Sequence, residues 1–373
     1  MTYLTIKRDK NIDYFRSTAL IWILFIHSLF WLGIISSENI LKSYLLFTQP
    51  VIFFITGASN LFSKNNNILN FYKKRLLQTL IPYWFYSLIC IFVIELTTRY
   101  QNQPSQLTYF DWFIPNMQQW SNYSFLNSHL WFITVYLLII LLFPFYRKYY
   151  LFFSKNSSSI KNAAKYLPLF LLMIIIYYID HNYVSETWNQ LSLHNYLKYI
   201  AFYSFWTYLG FFYHESKNIK TNNISILFII ILFGILTYLL IHFDNLYYLN
   251  MQYNKFPPNF SFLTMNIVAF CVLFSLRKAI LKVVKLNIFN YLYKTFALYG
   301  YTIYLYQPFC FYAAKIIFLK LNIDTFLYSH KLIGVITYFI VVLLLSFITA
   351  HLFGNIQTFS TKLVRYKPNK HIT

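Results

Sequence analysis

The chain has 373 residues, of which 58% are hydrophobic and 11% are charged, whereas an average soluble domain has about 45–50% and about 25%. Its formal net charge is +21, but the basic residues lie in short clusters between apolar runs long enough to cross a bilayer. This composition excludes a soluble nucleic-acid-binding protein and predicts an all-α integral membrane protein that contacts lipid and no nucleic acid.

Ten apolar runs have the length, roughly twenty residues, that a helix needs to cross a bilayer. We therefore predict a bundle of about ten transmembrane helices that forms a single domain over residues 1–373. The region 355–373 is predicted to be a basic cytoplasmic tail. The predicted spans lie near 14–34, 43–62, 78–97, 129–146, 166–180, 196–214, 222–242, 260–276, 296–319 and 332–354.

The distribution of Lys and Arg predicts the orientation of these spans. Most of the basic residues fall in alternate connecting segments, for example before the first span, around Lys73–Arg75 and after Arg147. Cytoplasmic loops of membrane proteins carry the excess of Lys and Arg. An even number of spans with both termini in the cytoplasm produces this pattern.

Cysteine spacing and local motifs point to no metal site and no permanently bound cofactor. Cys90, Cys271 and Cys310 lie inside apolar runs without the spacing of a disulfide or a zinc site. Nucleophile-elbow, dinucleotide-binding, phosphate-loop and zinc-protease motifs are missing from the sequence. Any chemistry must therefore use polar residues within the spans, where ionisable groups are costly and usually functional.

The first span supplies the candidate catalytic residues Arg16 and His27. They are eleven residues apart, close to three helical turns, so they share one helix face about 16 Å apart along the axis. This spacing places the imidazole near mid-membrane, above a guanidinium on the inner side. Asp13 can pair with Arg16 one turn away. Two structural alternatives stay open: an interfacial Asp13–Arg16 pair, and a His27 that only bonds a neighbouring helix.

The third span begins with a basic cluster and continues as a polar stripe. Arg75, Gln78, Thr79 and Pro82 recur at helical spacing and so line one face from the predicted cytoplasmic boundary. Such a stripe suits an anionic ligand that enters from the cytoplasm. We take Arg75, Gln78 and Asp13 as candidate donor-binding residues.

The outer ends of the third and fourth spans supply candidates for acceptor binding. His129 and Trp131 open the fourth span, and Glu95 is expected at the same membrane level. The segment 98–128 between them is rich in Gln, Asn, Ser and aromatic residues. It is either a cap over a cavity or a solvated loop, and His129 is either an acceptor contact or an interfacial residue bonded to a carbonyl.

In combination, these segments resemble the membrane-bound acyltransferase-3 family, which includes O-antigen, exopolysaccharide and peptidoglycan O-acetylases. The resemblance extends over nearly the whole chain, and the order and spacing of its elements make it specific. Those elements are Asn11–Arg16 with His27, Phe53–Gly57, Arg75 with Pro82–Trp84, His129–Phe132, Lys255–Pro258, and Tyr301–Leu305 leading to Pro308.

The resemblance implies an enzyme that transfers an acyl group, other than an amino-acyl group, from cytoplasmic acyl-CoA to a carbohydrate hydroxyl. The acyl group is expected to be acetyl, and the acceptor a cell-surface or lipid-linked glycan. His27 would act as general base or carry the acyl group. Arg16 and Arg75 would bind CoA phosphates or stabilise the oxyanion, for which a guanidinium is well shaped.

The chain departs from the family pattern at two points. Family members often have a His before the Pro of the ninth span, where this chain has Gln307. Some members also carry a hydrolase-like extracytoplasmic domain, which is not seen here. The enzyme is therefore expected to transfer directly or to hand the acyl group to a separate extracytoplasmic partner.

One alternative from another functional class is a transporter or flippase for a polysaccharide or lipid-linked sugar, because a buried His and Arg can also serve transport. The sequence shows neither an inverted repeat nor paired broken spans, which argues against it. The expected location is the cytoplasmic membrane of a bacterium.

Overall fold

The computed structural model describes residues 9–36, 39–61, 67–100, 109–115, 124–154, 159–183, 193–216, 223–284 and 286–365. Within these residues the regular structure is helical, with ten long helices joined by short helical turns. The long helices are α1 (Lys10–Phe30), α2 (Thr48–Asn60), α3 (Ile68–Tyr100), α4 (Trp131–Ser154), α5 (Leu167–Asn182), α6 (Leu193–Leu209), α7 (Asn223–Phe243), α8 (Phe260–Val284), α9 (Asn287–Lys320) and α10 (Lys331–Arg365). The short turns are Ile40–Ser43, Tyr109–Phe113, Ser124–Asn127, Ser159–Ala164, Gly210–Phe212, Tyr213–Ser216, Met251–Lys255 and Asp324–Ser329.

The chain is an all-α membrane protein. Each predicted span falls on one long helix, and seven of the described helices are long and apolar enough to cross a membrane. The other three are α1, α6 and α8. Of these, α6 has 17 residues and is almost wholly enclosed by protein, so lipid does not select for apolar residues along it. The total of ten crossings stays a prediction.

Helix α1 is shorter than its predicted span. It ends at Phe30, and the chain then turns through Gly33, whose φ of +66° favours glycine. His27 consequently lies in the last turn of α1. The first part of the predicted basic tail continues α10, which ends at Arg365.

The bundle is arranged around α1, which packs against α2, α9 and α10. Its apolar residues Leu20, Leu24 and Ile23 belong to the main core cluster. By contrast, α7 is the most apolar of the candidate spans and only 6% of its apolar window is buried. Helix α7 therefore faces lipid, while α1 is held inside the protein.

Two glycines let α2 approach α6 and the turn that follows it. A Cβ at Gly57 would overlap the carbonyl of Thr207, and one at Gly210 would overlap the carbonyl of Phe54. Helix α2, which carries residues of both cavities described below, is thus positioned by close backbone contact as well as by side-chain packing.

Basic residues mark one end of the bundle. Lys10 begins α1, Arg75 lies in the second turn of α3, Arg277 and Lys278 lie in the last turns of α8, and α10 ends at Arg365. We call this end the inner end, since the positive-inside rule assigns it to the cytoplasm, and the opposite end the outer end.

Candidate active site

A large cavity opens at the inner end. It has a volume of about 430 Å³ and is lined by polar residues from four helices together with aromatic side chains. Among them are Arg16, Asn60, Arg75, Gln78, Thr79, Tyr136, Tyr301, Gln357 and Thr361. The structure thus brings Arg16, Arg75 and Gln78 together, and the polar stripe predicted on α3 faces this inner cavity.

Arg75 is held in the inner cavity by amide groups. Its guanidinium donates to Oδ1 of Asn60 and to Oε1 of Gln78 at 3.4 Å. Its Nε is buried and has no hydrogen-bond partner. Neutral amides orient the guanidinium without cancelling its charge, and Arg75 forms no ion pair with a carboxylate of the described residues. The inner cavity therefore contains a fixed cation that suits a phosphate.

Arg16 has a different electrostatic setting. Its Nη1 lies 3.4 Å from Oδ1 of Asp13, and the Asp13 side chain is only 16% exposed. Asp13 therefore offsets part of the Arg16 charge and holds the guanidinium at the cavity edge. Asp13 itself is not a lining residue of the inner cavity.

A second cavity, the outer pocket, lies at the other end of α1. Its volume is about 140 Å³. It is lined by His27, Trp31, His129 and Trp131, by the polar side chains of Gln49, Ser128, Gln252 and Lys255, and by apolar and aromatic neighbours. The structure thus brings His27, His129 and Trp131 into one pocket, although His27 lies in α1 and the other two lie a hundred residues later, just before and at the start of α4.

The imidazole of His27 is fixed on two sides. Its ring stacks on Trp31, with ring centroids 3.9 Å apart and planes inclined by 12°. Its Nδ1 lies 2.9 Å from Oε1 of Gln307. In this orientation of the amide its oxygen accepts, which puts the proton on Nδ1 and the lone pair on Nε2. His27 is thereby held as a neutral base.

His129 is more deeply buried than His27. Its Nε2 lies 3.2 Å from the carbonyl of Leu305, and its own carbonyl accepts from the hydroxyl of Tyr304. Its Nδ1 is buried without a hydrogen-bond partner. The ring of His129 lies 6.2 Å from that of Trp31, so the two histidines flank the same indole.

A single layer of side chains separates the two cavities. Ile52, Phe132 and Tyr304 line both the inner cavity and the outer pocket. The rings of Phe132 and Tyr304 are in contact, with centroids 5.4 Å apart. We call these three residues the wall. A group bound in one cavity is thus one side chain away from the other cavity.

Glu95 is the predicted site residue that the structure places elsewhere. It accepts a hydrogen bond of 2.7 Å from the hydroxyl of Tyr109 and lines neither cavity. Nearby, the turn Tyr109–Phe113 packs on α3, where Trp84 donates to the carbonyl of Phe113. The other parts of the predicted cap, residues 101–108 and 116–123, lie outside the described residues.

Several site residues were not predicted from the sequence. Asn60, Gln49 and Gln252 carry no charge, and nothing in their local pattern separates them from other polar residues of loops and helix ends. Gln307 did carry a signal, because it stands before Pro308 where relatives often have a His. At this position an amide contacts His27, although Gln307 itself does not line the outer pocket.

Comparison with known proteins agrees with this geometry. The model of the acyltransferase-3 family, described as an acyltransferase domain, matches residues 9–351. No match was found among curated proteins or among solved structures. The family match decides between an enzyme and a glycan transporter in favour of the enzyme. The chain belongs to the acyltransferase-3 family and is a multi-pass membrane acyltransferase.

Proposed function

We propose that the protein transfers an acyl group, normally acetyl, from cytoplasmic acyl-CoA to a hydroxyl of a cell-surface or lipid-linked carbohydrate. In this proposal the donor occupies the inner cavity and the acceptor occupies the outer pocket. The membrane is the cytoplasmic membrane of a bacterium, and the glycan lies at its outer face.

The observation that carries the proposal is that a cationic cavity lies on one side of the wall and a pocket with an imidazole base lies on the other. The inner cavity presents the uncompensated guanidinium of Arg75, which suits the phosphates of CoA. The outer pocket presents the oriented imidazole of His27, which suits a hydroxyl. Because the two cavities share Ile52, Phe132 and Tyr304 as lining residues, a thioester that extends past this wall from the inner cavity would reach the hydroxyl without release of the donor.

The reaction is a thioester-to-ester exchange at one carbonyl carbon. Nε2 of His27 removes the proton of the acceptor hydroxyl, the hydroxyl oxygen bonds to the carbonyl carbon, and the C–S bond breaks. The CoA thiolate leaves and takes up a proton, and His27 gives up the proton that it removed, so both return to their starting state. In the covalent variant, Nε2 bonds to the carbonyl carbon as the C–S bond breaks, and the hydroxyl oxygen then takes the acyl group from Nε2 and gives up its proton. Both routes need the lone pair that the Gln307 contact leaves on Nε2.

The test is transfer of radiolabel from acetyl-CoA into glycan by membranes that contain the protein. His27→Ala should abolish the transfer at equal expression. His242→Ala is the matched control, because His242 is an exposed residue bonded to its own helix through Tyr238. Equal label with the parent and His27→Ala would refute the role of His27. No label with either would refute acetyl-CoA as the donor.

Donor binding is tested separately at the inner cavity. Arg75→Gln should raise KM for acetyl-CoA about tenfold or more, since a charge-assisted contact is lost. Lys73→Gln makes the same charge change two residues away at an exposed position and should leave KM within about twofold. If both variants raise KM equally, the effect is one of overall charge and not of the Arg75 site.

A further inference from the structure

Three polar side chains of the outer pocket have no function in the transfer described above. They are Lys255, Gln49 and Gln252, and all three line the pocket beside His27. They come from separate parts of the chain, since Gln49 lies at the start of α2 and the other two lie in the turn before α8. Folding thus places three polar side chains from distant segments in one pocket.

Lys255 is a buried cation without a counter-charge. Its side chain belongs to a residue that is only 5% exposed, and its Nζ lies 4.5 Å from the centre of the Phe256 ring. Within the described part of the chain it has no carboxylate or carbonyl partner, and the lining of the outer pocket contains no Asp or Glu. An unpaired buried ammonium is costly.

Three other buried lysines each have an oxygen atom within hydrogen-bond distance of the ammonium group. Lys198 lies 2.8 Å from Oδ1 of Asp180, and Lys165 lies 2.6 Å from Oε2 of Glu215. Lys42 donates to the carbonyl of Ile35 at 3.1 Å. Lys255 differs from all three, because its ammonium faces an open pocket and has no such acceptor.

The two glutamines supply unused acceptors in the same pocket. Oε1 of Gln49 and Oε1 of Gln252 are buried and receive no hydrogen bond from any residue that the structure describes. A buried carbonyl oxygen without a donor is rare in proteins. Hydroxyl groups of a sugar are donors of the kind that these oxygens lack.

We propose that the outer pocket is a binding site for an anionic carbohydrate, in which Lys255 binds a carboxylate or phosphate of the acceptor while Gln49 and Gln252 accept hydrogen bonds from its hydroxyls. The site places the sugar beside His27. Because Lys255 is cationic, the site selects acceptors by charge. This inference rests on the proposed function, because it names the class of acceptor that the same pocket takes.

The test uses three disaccharide acceptors that are identical except at one C6, which carries a hydroxymethyl group, a carboxylate or a phosphate ester. Purified protein in detergent is assayed with acetyl-CoA. The parent should show a kcat/KM for at least one anionic acceptor about tenfold or more above that for the neutral one. The carboxylate and phosphate arms distinguish a uronic acid from a phosphorylated glycan.

Two variants assign the selectivity to the lysine. Lys255→Met removes the charge at similar side-chain length and should abolish the preference while transfer to the neutral acceptor continues. Lys42→Met is the matched control, because Lys42 is also buried but does not line the pocket. Lys255→Arg keeps a cation and should keep part of the preference.

The possible outcomes distinguish a failure of the anionic-sugar site from a failure of the proposed acyl transfer. A parent without preference, or a Lys255→Met variant that loses transfer to all three acceptors equally while still folded, would overturn the anionic subsite and leave acyl transfer intact. If no acceptor is acylated, binding of the three disaccharides is measured by calorimetry without donor. Binding of the anionic sugars to the parent but not to Lys255→Met would support the subsite, and equal binding would overturn it.

Discussion

The protonation of His27 is set by a single neighbour, Gln307. An amide carbonyl oxygen can only accept a hydrogen bond, so the contact of 2.9 Å holds the proton on Nδ1. A histidine at this position would add a further titratable group beside the base. Glutamine instead presents an amide, which orients the imidazole and does not itself titrate.

The first prediction concerns this contact. Gln307→Leu keeps the side-chain volume but removes the acceptor, so the imidazole should spend less time with its lone pair on Nε2. We expect kcat to fall about tenfold. KM for acyl-CoA should not change, because Gln307 does not line the inner cavity. Steady-state kinetics of the purified variant measure both values, and a change confined to KM would contradict the assignment.

The second prediction concerns pH. Burial lowers the pKa of Lys255 to about 7, so its ammonium form is present below that pH and is lost as the pH rises. We expect the ratio of kcat/KM for a carboxylate acceptor to kcat/KM for a neutral one to fall from about pH 6 to about pH 8. His27, His129 and Tyr304 face the same pocket, but they act on both acceptors and cancel in the ratio.

A pH-independent ratio would show that Lys255 does not bind the acceptor as a cation. The Lys255→Met variant provides the baseline, since its ratio should stay constant over the same range.

Sequence patterns located the charged site residues but not their grouping. The spacing of Arg16 and His27 predicted one helix face, and the structure places them in different cavities at the two ends of α1. The amide groups around them could not be predicted, because Gln49 and Gln252 gain their role from the packing of distant segments. A buried acceptor without a donor is visible only in three dimensions.

At the scale of elements, one carboxylate holds the turn that carries Lys255 and Gln252. Asp180, in the last turns of α5, forms an ion pair with Lys198 of α6, and both side chains are nearly fully buried. It also accepts hydrogen bonds from the backbone N–H of Phe260 and from the hydroxyl of Tyr247. Asp180 thus joins two helices to both ends of the α7–α8 connection.

The third prediction follows from this network. Asp180→Ala leaves the ammonium of Lys198 buried and unpaired, which costs about 3–5 kcal/mol. We expect a marked drop in the thermal unfolding temperature in detergent and a loss of acceptor binding. Asp244→Ala is the control, because its ion pair with His181 is partly exposed and contributes about 1 kcal/mol or less. Equal shifts for the two variants would refute the anchoring role.

The sequence also predicted the positions of the long helices, since apolar run length is a direct consequence of bilayer thickness. It placed their ends less well. Helix α1 ends where Gly33 turns the chain, although apolar residues continue to Ile35. Tyr299 interrupts α9, and Gln357 of α10 accepts from the N–H of Thr302 beside this kink, a compensation that no local pattern reveals.

At the scale of the whole molecule, the wall of Ile52, Phe132 and Tyr304 sets how far a donor can extend. The fourth prediction is that Phe132→Ala opens this layer and admits longer acyl groups. The ratio of butyryl to acetyl transfer should rise several-fold in competition assays with the two CoA esters. Phe228→Ala removes a lipid-facing ring that is 65% exposed and should leave the ratio unchanged.

If Phe132→Ala leaves the ratio unchanged as well, the wall does not contact the acyl chain, and chain length is selected elsewhere. A fall in both rates with no change in ratio would mean that the ring positions the donor rather than limits its length.

The thinness of the wall also has an electrical consequence. Where both cavities fill with water, most of the membrane voltage falls across the single apolar layer between them. A charge that crosses this layer exchanges about 2.3 kcal/mol with the field per 100 mV. In the proposed reaction the acyl group leaves a thiolate in the inner cavity and displaces a proton from the hydroxyl in the outer pocket, while the phosphates of CoA stay beside Arg75. Acyl transfer is therefore independent of the membrane potential if that proton passes inward to the thiolate, and it is slowed by an inside-negative potential if the proton leaves from the outer pocket.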